Sequence, residues 1–158
     1  MRRITSLAIA LTAAVSAFGC GNDRDDREYF QAVLSGAEEV PARATAANGI
    51  ATFYLEGDAI RYSLTFDDIQ NVTAAHIHTA AAGVNGPVRA FLFAAPTGTT
   101  VSTGDQRILN QGAIVRDSVT GITWDEFLAA LRSGGAYVNV HTTQFPGGEM
   151  RGQIRRID

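Results

Sequence analysis

Apolar and polar residues alternate with a period of two along most of this chain after residue 28, and that period predicts strands. Tyr29–Ser35 is the first, loosely alternating and rich in β-formers. Residues 36–48 lose the pattern, carry Pro41 among small residues, and read as a long loop. The alternation returns sharply over 49–56, with Ala51, Phe53 and Leu55 on one side, and over 59–66, with Ile60, Tyr62, Leu64 and Phe66 on one side. Gly57-Asp58 between them, glycine first, suits a type II′ hairpin turn.

Further along, residues 74–79 predict a short strand, 83–87 (Gly-Val-Asn-Gly-Pro) a turn, and Val88–Ala94 another apolar strand. Residues 96–105, rich in Gly and Thr, read as a loop, and 113–117 as a short strand. One stretch changes period. Trp124, Phe127, Leu128 and Leu131 fall at i, i+3, i+4 and i+7, a single helical stripe. Thr123 stands three residues before Glu126, the spacing of a capping box, and Gly134-Gly135 stops the helix. Residues 137–142 and 149–157 then predict the last two strands, joined through Pro146-Gly147-Gly148. The sum is seven or eight short strands and one short helix. It predicts an all-β fold, an antiparallel sandwich or barrel of the superoxide-dismutase or immunoglobulin kind.

Composition narrows the class. The chain of 158 residues suits one domain, and 46% hydrophobic residues supply a core. Its 13 basic residues, all Arg, against 16 acidic ones leave a net charge of −3, which argues against nucleic acid as a partner.

The first twenty residues are of another kind. Arg2 and Arg3 form a positive start, residues 7–15 an apolar run too short to span a bilayer, and Ser16-Ala17-Phe18-Gly19 leads to Cys20. This predicts a secretory signal over 1–19. Ending it in Gly-Cys resembles the bacterial lipobox, in which the cysteine becomes an acylated N-terminus. Residues 20–27 then read as a lipidated polar tether, and 28–158 as the domain. The expected partner is a membrane, reached through lipid on Cys20. The expected location is the cell envelope, at an outer membrane or periplasmic face in a cell with two membranes. Cys20 is the only cysteine, so a domain lipidated there has no thiol ligand, no thiol nucleophile and no disulfide.

Four blocks carry a resemblance. They are Leu34-Ser35-Gly36-Ala37-Glu38-Glu39-Val40-Pro41; Ala75-His76-Ile77-His78; Gly86-Pro87-Val88; and Tyr137-Val138-Asn139-Val140-His141-Thr142 with Phe145-Pro146-Gly147-Gly148-Glu149-Met150-Arg151-Gly152-Gln153. In order and spacing they resemble the CHRD domain family, over roughly residues 28–157. The resemblance implies a domain found in chordin, a secreted antagonist of bone morphogenetic proteins, and as single domains in bacterial exported proteins. Growth-factor antagonism does not transfer with it, because chordin carries other modules.

All three histidines lie in those blocks. His76 and His78 are two apart, so they share a strand face, while Ile77 faces the other way. His141 shares a face with Tyr137 and Asn139. If the two strands are neighbours, three imidazoles converge on the outside of the sheet. Neutral imidazoles ligate zinc or copper, and three of them leave a coordination position open. The His-x-His pair followed by Val-His also resembles the copper ligands of Cu/Zn superoxide dismutase. The bridging histidine, the zinc loop and the cysteine pair of that enzyme are missing, so two-metal dismutase chemistry is not expected. Glu149 is a candidate fourth ligand or an acceptor behind a histidine, or else one half of a cross-strand ion pair. Glu38 and Glu39, adjacent in an extended segment, point apart and form no carboxylate pair. Three readings of the histidines stand: a metal site, a hydrogen-bonded cluster pinning the nearby turns, or acid–base catalysis. The functional expectation is a binding or structural module of the envelope with a copper or zinc site. The alternative is a small copper or zinc metalloenzyme.

Overall fold

The computed structural model describes residues 27–103 and 107–157; the signal segment, Cys20 and the tether through residue 26 lie outside the described residues. The chain order is β1 (Tyr29–Ser35), β2 (Asn48–Glu56), β3 (Ala59–Asp67), β4 (Ile69–Thr79), β5 (Val88–Ala94), β6 (Val101–Thr103), β7 (Arg107–Val115), α1 (Trp124–Ser133), β8 (Ala136–Thr142), β9 (Met150–Gln153) and β10 (Arg155–Ile157). Every pairing among them is antiparallel, in the order β5-β4-β8-β9-β1-β2-β3-β7, with β6 added to β4 and β10 to β1. The two end strands of this path curl toward each other. Tyr62 Oη on β3 and Asn110 Nδ2 on β7 donate to the Leu92 carbonyl on β5, at 2.8 and 2.6 Å. Side chains thus satisfy an edge carbonyl and nearly close the sheet into a barrel.

The alternating positions fill the interior. Phe30, Leu34, Ala51, Phe53, Ile60, Leu64, Phe66, Ile77, Val138 and Val140 are all buried. Burial of each large side chain contributes about 1.5–3 kcal/mol. Gly57 has φ of +58° at the head of the β2–β3 turn, as a II′ turn requires of its first central residue. α1 keeps its predicted cap. The Thr123 hydroxyl accepts from the Glu126 amide, the Glu126 carboxylate accepts from the Thr123 amide, and Gly134 closes the end in the left-handed region. Trp124, Phe127 and Leu131 face inward.

Five expectations of detail are corrected. The loop after β1 contains a single 3-10 turn, Gly36–Glu38. β4 begins at Ile69, five residues before the predicted start, and its first half carries an irregular register around Asn71 at φ +54°. The Gly/Thr-rich loop contains β6, and the short strand predicted over 113–117 is the end of the nine-residue β7, followed by a 3-10 turn at Arg116–Ser118. The last strand is split at the buried Ile154 into β9 and β10.

Candidate metal centre

The alternation of β4 sends Ala75 and Ile77 into the core and leaves His76 and His78 on the other face. On β8 it sends Val138 and Val140 inward and leaves Tyr137, Asn139 and His141 on that same outer face. The strands are neighbours, with His76 opposite Asn139, His78 opposite Tyr137 and Ala74 opposite His141. The three histidines therefore meet, as their spacing predicts, and their nearest ring nitrogens all lie within 4.8 Å of one another.

The outer face of these strands is only partly open to solvent, with His76 and His141 half-buried. The 83–87 turn and the 143–148 loop fold across it, so His78 is 9% exposed and Tyr137 and Asn139 each 2%. Both coverings hold a histidine. His78 Nδ1 lies 2.9 Å from the Gly86 carbonyl oxygen, and His141 Nδ1 lies 2.9 Å from that of Pro146. A carbonyl only accepts, so in each ring Nδ1 carries the hydrogen and Nε2 carries the free lone pair. His141 Nε2 is 3.0 Å from His76 Nδ1, which then donates to it. All three neutral rings share one tautomer. The Nε2 atoms of His76 and His78 are left buried with no hydrogen-bond partner.

The surroundings disfavour the protonated forms of His76 and His78. Burial, and then the neighbouring His141 and His78, push His76 down to about 4. Burial also lowers His78, opposed by its bond to Gly86 and reinforced by His141 and Arg151. The Tyr137 ring stacks on His78, with centroids 4.9 Å apart and planes 9° from parallel. On the side of Tyr137 toward β9, the Arg151 guanidinium lies 4.4 Å from the ring centroid. Tyr137 Oη also accepts from the Gly86 amide at 3.0 Å, so one side chain fixes both the ring and the carbonyl that orients it. Phe91, opposite His76 across the β4–β5 ladder, sets its edge against that ring at 4.4 Å.

Arg151 does not pair with Glu149. Its partner is Glu39, whose Oε2 takes both Nε and Nη2, at 3.0 and 2.9 Å, while Oε1 accepts from Asn139 at 2.8 Å. Arg151 also donates to Asn85 Oδ1, which ties in the 83–87 turn. Glu39 is 5% exposed and Arg151 4%, a buried pair that adjacency to Glu38 gave no sign of. Glu149 is also buried, and it accepts from Thr45 at 2.6 Å and Thr142 at 2.7 Å. Among the described residues it does not join the three-histidine group.

Chemically, the arrangement presents two unpartnered nitrogen lone pairs and a third shared with one hydrogen, on rings of which two, His78 and His141, are oriented from behind by carbonyls. That is the outer-shell pattern of histidines that ligate metal. The family model of the CHRD domain matches residues 30–154, the span that contains every residue of this cluster. No curated protein and no solved structure matches the chain.

Proposed function

The chain belongs to the CHRD domain family, and from that premise and the geometry of its histidines we propose that it is an exported, lipid-anchored envelope protein that binds one ion of copper or zinc through His76, His78 and His141. The observation that carries the metal reading is the pair of buried, partnerless Nε2 atoms on His76 and His78. A buried acceptor without a donor costs about 1–3 kcal/mol, and two of them in one cluster, whose His78 and His141 rings are held by carbonyl bonds, call for a Lewis acid. Three nitrogens bound at ~2.0–2.1 Å stand roughly 3.4 Å apart. The rings need only close in slightly from their present spacing of up to 4.8 Å. A cation at His141 Nε2 would take the place of the hydrogen bond from His76 Nδ1, which keeps its hydrogen.

The domain is read as a holder of metal rather than a catalyst. Four surface clefts among the described residues are lined by Thr52 and Gln111, by Glu28 and Glu56, by Gln31 and Arg155, and by Asn48 and Asp67. None of these clefts opens on the imidazoles. The apolar run before Cys20 and its Gly-Cys ending support export and acylation.

The test is the metal content of the detergent-extracted full chain after equilibration with copper or zinc and removal of excess. One ion per chain is expected, with loss of at least about tenfold in affinity in His76→Ala and in His141→Ala. No metal above background in the natural chain reduces the histidines to supports for the two turns.

A further inference from the structure

Resting on the reading of the three histidines as a metal centre, we infer that the site selects a monovalent, three-coordinate ion, copper(I), over zinc(II) and copper(II). Imidazole itself does not decide between these metals. Charge and coordination number do.

No anion is left at the site to offset a dication. Glu39 is taken by Arg151 and Asn139, and Glu149 by Thr45 and Thr142. Among the described residues the group of potential ligands contains no carboxylate. The charge that acts on His78 is positive, the Arg151 guanidinium stacked behind Tyr137, itself paired with Glu39. The cost of taking an ion out of water grows with the square of its charge, so a dication pays roughly four times the penalty of a monocation here.

Coordination points the same way. Zinc(II) asks for four ligands in a tetrahedron, and copper(II) for a square of nitrogen and oxygen donors. The protein offers three nitrogens. The fourth donor would have to be water, yet the Nε2 atoms of His76 and His78 are out of solvent reach, and Phe91 and Tyr137 supply apolar ring surface beside them. Copper(I) completes its shell with three nitrogens and needs no water.

Phe91 offers a direct handle. It is 63% exposed and faces His76 across the ladder, so a carboxylate there reaches the site without disturbing the core. The experiment titrates the detergent-extracted full chain, without oxygen, with copper(I) against bicinchoninate and separately with zinc(II) against a chromophoric chelator. One copper(I) is expected, held at least ~100-fold more tightly than zinc(II) and lost in His78→Ala, with X-ray absorption showing three nitrogen ligands. Phe91→Glu supplies the missing anion and fourth donor. It should narrow the preference by about tenfold or more by raising zinc affinity, with an unchanged melting curve. Zinc(II) bound as tightly as copper(I), or a preference that Phe91→Glu does not move, overturns the selectivity and leaves the metal centre standing. A chain that takes up neither ion overturns both.

Discussion

A histidine on the outward face of a strand is ordinarily half wet and titrates near 6.5. His76 is held down to about 4 because the turns that cover the face bury its ring among two other imidazoles. The unfolded chain therefore takes up a proton near pH 6.5 that the folded chain refuses until about pH 4. With more protons bound in the unfolded state, metal-free stability falls as pH drops through that window and levels off below it. His78, also lowered, adds to the slope in the same direction. Solvent still reaches part of the His76 ring, so its share is on the order of 1–2 kcal/mol. Urea melts of the metal-free chain at pH 7 and pH 4.5 measure it. Replacement of His76 by Asn should flatten the difference by about that amount, and an unchanged difference refutes the assignment. The same scale shows what single residues reveal. His76 and His78 announce a shared face by their spacing. Glu39 announces nothing, because the group that gives it a role, Arg151, is 112 positions away.

Elements were legible where their determinants are local. α1 carries its capping box, stripe and stop glycine within a dozen residues, and the β2–β3 hairpin carries its alternation and turn. β6 lies in the Gly- and Thr-rich stretch of residues 96–105 that reads as loop, and the first half of β7 carries no clear alternation; pairing with β4 and β3 makes them strands. β4 hides its first half behind Asn71, whose left-handed backbone breaks the period. β9 shows how tightly these pairings are set. Gly152 pairs with Val138 on β8, and a methyl group there would collide with the Val33 carbonyl of β1. The colliding atom is backbone, so no side chain can swing away. Gly152→Ala should cost about 1–3 kcal/mol in chemical denaturation. Gly147→Ala, where an added methyl meets nothing within 4 Å, should stay within about 0.5 kcal/mol. Equal stabilities for the two variants would show that β9 has room to shift.

At the scale of the whole molecule, the proposed tether and the barrel divide the work. The described chain enters β1 beside the β2–β3 hairpin, where the Glu28 carbonyl accepts from the Leu55 amide and its carboxylate is gripped by Arg132. In a chain processed at Cys20, as proposed, residues 20–27 precede Glu28 and at ~3.3–3.6 Å each reach at most about 29 Å. A chain that begins at Cys20 has 11 Arg against 16 acidic residues, so it has no net positive charge to hold it at an anionic lipid surface. Among the described residues no helix is long and apolar enough to cross a membrane. On the proposed acylation of Cys20, anchoring would depend on acyl chains, each buried CH2 contributing about 0.8 kcal/mol, with more than one chain needed for stable attachment. Cys20→Ala should abolish labelling by radioactive palmitate and move the protein from the membrane pellet to the soluble fraction. The melting temperature of the domain should not change, because Cys20 precedes every strand. A Cys20→Ala chain that still sediments with membranes would mean that the apolar run of residues 7–15 is retained as the anchor. In that case the lipidation reading fails while the metal centre, built wholly from β4, β8 and the turns that cover them, is untouched.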